Sequence, residues 1–334
     1  MRKLASVQRI LSVSPIEGAD AIEKATVLGW QLVIKKGSFN VNDLCIYCEI
    51  DSLLPDRPEF EFLRERKFRI KTIKLRGVVS QGICFPLSIL PAGDYKEGDD
   101  VTELLKITKW ELPVPAHLQG IAKGKIPSFV PKTDEIRIQV IQEFLDKFKG
   151  TECYITEKLD GSSVTYYVKD SQFGVCSRNL EIIEDPENTL WKIARELDIE
   201  NKLRSLNKNI ALQGEIVGES VQSNKLKLKG QTVFFFNAID IDGHCFYDMN
   251  NFFELLEQLQ LTSAPVIEKS WILINQMEEI MVLAKRNSLL QSQALAEGIV
   301  IRPVKELRDP QLDTPWSRFS FKVINPEFLL KHGE

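Results

Sequence analysis

The chain has 334 residues, of which 43% are hydrophobic and 27% are charged, a balance typical of a folded protein with room for two domains. Its formal net charge of −4 excludes a protein that coats nucleic acid through bulk positive charge, although a local basic groove is compatible with it. No apolar run approaches the roughly 20 residues that a membrane-spanning helix needs.

The six cysteines lie in apolar segments and lack the spacing of a zinc site. The close pair Cys45 and Cys48 falls in a strand-like run, where residues three apart point to opposite faces. The three histidines, His117, His244 and His332, lie far in sequence from one another and from this pair. We therefore expect buried thiols, no metal or disulfide framework, and a reducing intracellular location, cytoplasmic or nuclear.

Residues 1–103 are predicted to form a small barrel. The first nine residues are basic and acid-free, as in organelle transit peptides, so organelle targeting stays open. The alternation of apolar and polar residues over 5–13 nevertheless favours a strand. Further strands, separated by turn residues, are predicted over residues 24–28, 31–34, 44–49, 69–75 and 82–86. This regular spacing fits a five-stranded oligonucleotide/oligosaccharide-binding (OB) barrel.

The segment 64–76 is rich in cations and contains a single acid, Glu65. Its later cations alternate with apolar residues, so on a strand Arg69, Lys71 and Lys74 would lie opposite the core. A basic strand can discourage edge-to-edge pairing of sheets, or it can contact a nucleic-acid backbone. On a barrel that is otherwise near neutral, we favour the nucleic-acid contact and leave the other explanation open.

Residues 104–130 are rich in proline and glycine and are predicted to be a linker, followed by a second domain over residues 131–334. A helix is predicted over 139–148, because apolar residues recur there at helical spacing. Just before it, Thr133 or Asp134 can cap the helix. The density of donors around Arg137 keeps a ligand-binding role open.

The segment Glu157-Lys158-Leu159-Asp160-Gly161 places one lysine among acidic and small residues directly after an apolar run. A lysine amine with an ordinary pKa of about 10.4 attacks phosphorus only when its surroundings lower that pKa. A nearby metal ion or second cation would have this effect. Gly161 permits close approach of the backbone to a ligand, and Asp160 can accept hydrogen bonds from a ribose. Such K-x-D-G turns also occur by chance, so the meaning of this one depends on the residues downstream of it.

Three features in the middle of the second domain suggest ligand contacts. Arg178 stands at the end of a predicted strand pair, and Glu215 is a single acid within an apolar strand. Because a charge is rarely buried unpaired, Glu215 is expected to point into a cleft toward a metal, a ribose or a cation. Phe236 ends a run of three phenylalanines, which either stack on a base or belong to the core. Taken alone, such a run favours the core.

The C-terminal part repeats this pattern. Glu297 precedes an apolar strand, and alternation with apolar residues predicts that Arg318, Ser320 and Lys322 share one strand face. Isolated acids, a candidate lysine nucleophile and a cationic strand together match the needs of phosphoryl chemistry, in which acids hold a divalent metal and cations hold phosphates.

Taken in order, six stretches resemble motifs I, Ia, III, IIIa, IV and V of the covalent nucleotidyltransferases. They are E-K-L-D-G-S, S-R-N, G-E-I-V-G, F-F-F-N-A-I-D-I, E-G-I-V-I-R and S-F-K-V-I. The residues of these motifs and the spacing between them most resemble those of the RNA ligases, and among these the nick-sealing type with an N-terminal OB-like domain. The resemblance covers essentially the whole chain. It implies an α+β protein in which an OB-like β-barrel precedes a nucleotidyltransferase (ATP-grasp-like) ligase domain of antiparallel sheets.

The resemblance also implies roles for individual residues. Lys158 would be the adenylated nucleophile, and Lys322 would bind the α-phosphate. Glu215 and Glu297 would hold the catalytic magnesium or manganese with its waters, and Phe236 would stack on the adenine. The other ATP-binding residues would be Glu157 at the adenine edge, Asp160, Gly161, Arg178 near the ribose, Arg137 and Arg318.

Two departures from the superfamily pattern bear on this assignment. Many RNA ligases carry K-x-K in motif V, whereas the first position here is Ser320, and whether Arg318 replaces that charge stays open. DNA ligases and capping enzymes usually continue into a C-terminal OB domain, but this chain ends twelve residues after Lys322. We therefore expect an RNA ligase.

The reaction implied by the resemblance joins a 3′-hydroxyl to a 5′-phosphate in RNA, with nicks in duplex RNA as the expected substrate. AMP passes from ATP to Lys158 and then to the 5′-phosphate, and it leaves when the 3′-hydroxyl attacks. Such an enzyme serves RNA repair, binds RNA but no membrane, and is expected to be a monomer. The alternatives are a DNA ligase, a capping-type enzyme that transfers GMP, and an RNA-binding protein with a decayed active site. The presence of Lys158, Lys322 and both acids speaks against decay.

Overall fold

The structure, a computed structural model, describes residues 3–110 and 122–333. The chain forms two compact units, one comprising Met1–Pro113 with Pro326–Glu334 and the other comprising Val114–Asn325. The division into residues 1–103, 104–130 and 131–334 stays a prediction. Part of the predicted linker, residues 111–121 with His117, lies outside the described residues.

The first unit contains an antiparallel sheet made of short strands. Its described strands are β1 (Ala5–Pro15), β2 (Ile22–Val27), β3 (Trp30–Lys35), β4 (Leu44–Cys48), β5 (Ser52–Leu53), β6 (Ile73–Leu75), β7 (Val78–Ser80), β8 (Ile83–Phe85) and β9 (Thr108–Lys109). Five of them form one sheet in the order β3-β2-β1-β4-β8. Short 3-10 helices span Pro58–Arg66 and Leu87–Ile89. Val7, Ile10, Trp30 and Ile46 are buried in this unit.

The predicted strand over residues 69–75 is wrong in extent, because only Ile73–Leu75 (β6) is a strand. The preceding 3-10 helix ends at Arg66, and both Lys67 and Phe68, which follow it, adopt left-handed backbone conformations, with φ of 51° and 59°. These residues turn the chain sharply and delay the start of the strand.

The expected outward position of Arg69 is also wrong. Its side chain is buried, its guanidinium Nη2 lies 2.9 Å from Asp51 Oδ1, and its Cζ lies 3.4 Å from the centre of a Trp110 ring. Lys71 donates a hydrogen bond to the carbonyl of Gly333 at 2.9 Å. Part of the basic stretch is therefore committed to contacts within this unit.

The second unit contains two larger sheets. Its described strands are β10 (Ala122–Lys125), β11 (Ile136–Arg137), β12 (Glu152–Lys158), β13 (Ser162–Lys169), β14 (Gln172–Cys176), β15 (Leu180–Ile182), β16 (Ile210–Gly218), β17 (Gln231–Asp240), β18 (Cys245–Phe246), β19 (Val266–Ile272), β20 (Gly298–Pro303) and β21 (Phe321–Ile324). One sheet has the order β10-β15-β14-β13-β16-β17-β18, and the other has the order β11-β21-β20-β12-β19. All pairs are antiparallel except β11 with β21, which is parallel.

The described α-helices are α1 (Gln142–Phe148), α2 (Thr189–Glu196), α3 (Ile199–Arg204), α4 (Met249–Gln258) and α5 (Met277–Leu283) in the second unit, and α6 (Pro326–His332) in the first. The helix predicted from residue 139 begins at Gln142, because Ile138–Val140 forms a 3-10 turn first. A further 3-10 turn spans Pro315–Ser317. Within the described ranges, no helix has both the length and the apolarity needed to cross a membrane.

Helices cover one face of each sheet in the second unit. On the seven-stranded sheet, Val164, Tyr166 and Val168 of β13 pack in one cluster with Trp191 of α2 and Leu255 of α4. On the five-stranded sheet, an equivalent cluster joins strand residues to α1 and α5; it includes Ile155, Ile301, Phe321, Phe144 and Ile280. Because side chains alternate along a strand, the residues between these apolar positions point to the opposite face.

The opposite faces carry the polar residues that the sequence singled out, next to further apolar residues on the seven-stranded sheet. On the five-stranded sheet this rule applies to Lys158 of β12 and Lys322 of β21. On the seven-stranded sheet it applies to Ser163 of β13 and Glu215 of β16. The strand register determines which of these residues become neighbours.

The cysteines are free, and Cys45, Cys48, Cys153 and Cys176 are buried. Cys84 and Cys245 are partly exposed, in contrast to the expectation of buried thiols.

We expect Gly298→Ala to destabilise the protein by about 1–3 kcal/mol, the usual cost of overpacking. A Cβ at Gly298 would lie 2.2 Å from the carbonyl oxygen of Val323, so the change would push β20 away from β21. Chemical denaturation measures the effect. The control is Gly124→Ala, because a Cβ there meets nothing within 4 Å. Unchanged unfolding of Gly298→Ala would contradict this description of the sheet.

Candidate active site

Lys158 ends β12, and the turn Leu159-Asp160-Gly161 carries the chain from the five-stranded sheet to β13 in the seven-stranded sheet. The K-x-D-G segment is thus the connection between the two sheets. A Cβ on Gly161 would lie 2.1 Å from the carbonyl oxygen of Ile216, so only glycine fits where the turn approaches β16. Glycine was expected to allow close approach to a ligand. In the structure, it allows close approach to a neighbouring strand.

The amine of Lys158 is bound to Glu297. The register of β12 and β20 places Lys158 opposite Gly298, the residue after Glu297. Lys158 Nζ donates to both carboxylate oxygens of Glu297, at 2.7 Å each. The side chain of Lys158 is 25% exposed to solvent and that of Glu297 is 13% exposed. The pair is therefore largely buried but still accessible.

Glu215 joins this pair from the other sheet. It lies opposite Ser163 in the register of β13 and β16, and the Ser163 hydroxyl donates to Glu215 Oε2 at 3.0 Å. Burial raises the pKa of Glu215 to about 7, with Lys158 opposing the rise and Glu297 adding to it. A carboxyl group with this pKa changes its charge near neutral pH.

The pKa of Lys158 also lies above its ordinary value. Burial by itself would lower this pKa, but the charges of Glu297, Glu215 and Asp160 outweigh that effect. Without a further positive charge at the carboxylates, the amine is therefore held protonated and is not nucleophilic. The expected activation of Lys158 by a metal ion or a second cation stays a prediction.

Asp160 lies beside the cluster and contacts a residue that the sequence analysis did not identify. Lys225 Nζ lies 3.2 Å from Asp160 Oδ2, and both side chains are mostly buried. The sequence feature that could have drawn attention to Lys225 is the alternation of lysine and leucine over residues 225–229, but this alternation matches no motif.

Lys322 and Arg137 lie next to each other on paired strands. The parallel pair β11 and β21 places Arg137 opposite Lys322, and β21 in turn places Lys322 opposite Val300. The charge of Lys322 acts on Glu297. The structure thus brings these two cations to the same side of the cluster that contains Glu297.

Glu157 points away from Lys158, because adjacent residues of a strand face opposite sides. Its buried carboxylate accepts a hydrogen bond from the backbone N–H of Leu289 at 2.7 Å. Burial raises the pKa of Glu157, and hydrogen bonds from Ser288 and Leu289 oppose the rise. The side chain thus anchors the segment before β20, and its predicted contact with the adenine edge stays a prediction.

Arg178 and Arg318 are both engaged elsewhere. Arg178 forms an ion pair with Asp134 on a half-exposed surface. Arg318 is buried and donates to Glu306 Oε1 at 2.6 Å and to Asn237 Oδ1 at 2.7 Å. The structure does not bring either guanidinium into the Lys158 cluster, and their predicted roles at ATP stay predictions.

Phe236 occupies a β-bulge. The pairing of β16 with β17 shifts register between Gln213 and Gly214, which leaves Phe236 as the extra residue. It is partly exposed, whereas Phe235 is fully buried on the helix-covered face. The buried guanidinium of Arg302 lies 5.8 Å from the Phe236 ring. The sequence singled out Phe236 but assigned no role to Arg302. The feature that could have identified Arg302 is a charged residue near the end of an apolar strand.

The acids of the cluster suit a hydrated divalent cation. Among the described residues, no group of three or more His, Cys, Asp or Glu side chains is placed to hold a metal ion. Mg²⁺, however, commonly keeps several waters and takes only one or two carboxylates together with substrate phosphates. Glu215 and Glu297, which share a single lysine between them, provide such a pair.

We expect Glu215→Gln to be more stable than the wild type at pH 8 by about 1–3 kcal/mol, and equally stable near pH 4.5. A carboxyl group with a higher pKa in the folded state binds its proton more tightly when folded. Wild-type stability should therefore fall as pH rises from 4.5, the ordinary value, to about 7, and glutamine removes this dependence. Thermal unfolding without divalent cations measures the difference, with substitution of the exposed Glu143 of α1 by glutamine as the control. A pH-independent difference would contradict this interpretation of the cluster.

Comparison with known proteins identifies the architecture and the family. An RNA ligase family model matches residues 151–324, and an OB-fold domain model matches residues 4–87. A comparison with curated protein sequences returned no match. The two family matches cover the strands that build the Lys158 cluster and the N-terminal sheet, respectively.

Solved structures of Naegleria gruberi RNA ligase match almost the entire chain at 37% identity. The apo form of a mutant covers 99% of this chain and 98% of its own, with a TM-score of 0.90. The structure with PPi covers 100% and 99%, with a TM-score of 0.90, and a mutant with ATP and Mn covers 99% of each chain, with a TM-score of 0.87. These matches confirm the predicted α+β fold with an N-terminal OB domain before an antiparallel-sheet ligase domain. The chain therefore belongs to the RNA ligase family.

Proposed function

We propose that this RNA ligase uses ATP to seal 3′-hydroxyl/5′-phosphate nicks in duplex RNA through a lysyl-AMP intermediate on Lys158. The observation that carries the proposal is the position of the Lys158 amine, 2.7 Å from both oxygens of Glu297 and facing Glu215 from the other sheet. A lysine nucleophile with two adjacent carboxylates is the arrangement that metal-assisted adenylyl transfer requires.

The nucleotide and the metal are supported by the related structures. Naegleria gruberi RNA ligase is described with ATP and Mn, with AMP and Mn, and with PPi. In this chain, Glu215 and Glu297 would hold the divalent cation. When bound, that cation supplies positive charge that draws the carboxylates away from Lys158, lowers the pKa of its amine and offsets charge on the phosphates.

The proposed reaction has three displacements at phosphorus. The deprotonated Nζ of Lys158 attacks the α-phosphorus of ATP, and pyrophosphate leaves. An oxygen of the RNA 5′-phosphate then attacks the same phosphorus, and the Lys158 nitrogen leaves and regains a proton. In the last step the 3′-hydroxyl attacks the activated 5′-phosphorus, loses its proton, and AMP leaves.

The surrounding residues would position the nucleotide. Lys322 and Arg137, opposite each other on β21 and β11, would bind phosphates, since their cations lie on the Glu297 side of the cluster. Phe236 would stack on the adenine with its exposed part. Asp160 would accept a hydrogen bond from the ribose. Each of these roles concerns binding and orientation, whereas Lys158 alone forms a covalent bond.

The N-terminal OB domain would contact the RNA duplex beside the nick. Exposed cations of the basic stretch, including Lys74 and Arg76, support this role. In the proposed organisation, residues 1–103 bind RNA, 104–130 form a linker, and 131–334 transfer the adenylyl group. The free cysteines support the predicted intracellular location, and the monomeric state stays a prediction.

Incubation with radiolabelled ATP and Mg²⁺ should leave a covalent label on the wild-type protein. Lys158→Ala should reduce this labelling by at least about 10⁴-fold, because the nucleophile is lost. The control Lys149→Ala, which removes an exposed lysine, should label normally. Labelling by GTP in place of ATP would indicate a capping-type enzyme, and full labelling of Lys158→Ala would exclude Lys158 as the nucleophile.

Removal of the charges at Lys74 and Arg76 by substitution with glutamine should weaken binding to a nicked RNA duplex. The slope of log affinity against log salt should fall by about one for each phosphate that the protein no longer binds. Arg64→Gln is the matched control in the same stretch, because Arg64 already forms an ion pair with Asp56 at 2.6 Å. If the changes at Lys74 and Arg76 leave the affinity and its salt dependence as they are in the Arg64→Gln control, the basic stretch does not bind the duplex.

A further inference from the structure

The connection between β16 and β17, residues 219–230, forms a strap over the K-x-D-G turn. It contains the sequence Lys225-Leu226-Lys227-Leu228-Lys229. Leu226 is buried and Leu228 is partly buried, whereas Lys227 and Lys229 are exposed. The strap is thus held by its leucines while two of its lysines face solvent.

The strap contacts each of the three residues after Lys158. Leu226 belongs to one apolar cluster with Leu159, and the amide of Gln222 donates to the carbonyl of Gly161 at 3.3 Å. Between these two contacts, Lys225 Nζ lies 3.2 Å from Asp160 Oδ2. The strap therefore contacts every residue of the turn that follows the nucleophile.

The ion pair in the middle of the strap is nearly excluded from solvent. The side chains of Lys225 and Asp160 retain 10% and 14% of their exposure. Attraction between charges is stronger in such surroundings than in water. Asp160 also acts electrostatically on Lys158, Glu215 and Glu297. Lys225 therefore balances an acid that competes for the amine of the nucleophile.

We propose that Lys225 is a positioning residue for adenylyl transfer, which holds the carboxylate of Asp160 and so keeps Lys158 available to attack ATP. This inference rests on the proposed role of Lys158 as the nucleophile. Lys225 itself touches none of the reacting atoms and acts through Asp160. Without Lys225, the Asp160 carboxylate would be drawn toward Lys158, and the turn would lose its central contact.

Displacement of a reacting group by about 1 Å can lower a rate by about 100-fold. We therefore expect Lys225→Met to slow covalent labelling with radiolabelled ATP and Mg²⁺ by about 10- to 100-fold. Sealing of a nicked RNA duplex that carries a pre-adenylylated 5′ end bypasses the attack by Lys158. That rate should change by less than about threefold, since the expected displacement concerns the nucleophile alone.

The strap itself provides matched controls. Lys227→Met and Lys229→Met remove the same charge from exposed positions in the same segment, so both should label at the wild-type rate. Lys225→Arg keeps a cation opposite Asp160 and should restore most of the labelling. If Lys225→Met does not fold, Lys225→Gln takes its place, because glutamine keeps a polar side chain at this position without the charge, and it should label more slowly than the wild type at an unchanged Tm.

Each outcome distinguishes between explanations. Slow labelling with normal sealing of the pre-adenylylated duplex, confined to substitutions that remove the charge of Lys225, supports the positioning role. Wild-type labelling by Lys225→Met overturns it. Equal losses of Lys225→Met in both reactions, or equal losses of labelling in the Lys227 and Lys229 variants, also overturn it, because they would indicate an effect that is not specific to the pair of Lys225 with Asp160. Absence of label on the wild-type protein would overturn the proposed function together with this inference.

Discussion

The ion pair between Lys158 and Glu297 is the interaction on which the rest of the site depends. It joins the end of β12 to the residue before β20, which lie 139 positions apart in the sequence and are brought together by an antiparallel register. Glu215 faces the same amine from the second sheet, so a single lysine is shared by two partly buried carboxylates. This surplus of negative charge keeps the amine protonated at rest and makes its activation depend on a cation that binds the carboxylates.

A site of this kind lowers the stability of the fold that contains it. Carboxylates withdrawn from water cost free energy, and their mutual repulsion adds to that cost. The helices on the outer faces of the two sheets offset it, because each fully buried leucine or phenylalanine side chain contributes about 1.5–3 kcal/mol. Trp191, Leu255, Phe144 and Ile280 are among these buried side chains. Apolar packing against helices on one face of each sheet therefore allows the protein to be stable while the other face holds reactive groups.

Much of the fold and part of the site could be predicted from the sequence, because the relevant patterns are local. Period-two alternation placed Lys322 on the face opposite the apolar residues of its strand, and a lone acid in an apolar run made Glu215 conspicuous. The ends of elements were harder to predict. The strand that was expected from residue 69 starts at Ile73, because Lys67 and Phe68 adopt left-handed conformations that no residue type in the segment signalled. Arg69 was expected to face outward because neither Asp51 nor Trp110 could be identified as its partner in advance.

By itself, the sequence determined the order of the motifs, the α+β class and the family resemblance, since these depend on residue types, their spacing and their alternation along the chain. Only the tertiary structure decided which charges are paired. It assigned Glu157 to the backbone of Leu289, Arg318 to Glu306, and Lys225 to Asp160. The physical reason is that the pKa and the role of a charged group in a largely buried site depend on its nearest partner. Strand register and the path of the loops determine that partner, because they bring together residues that are far apart in the chain.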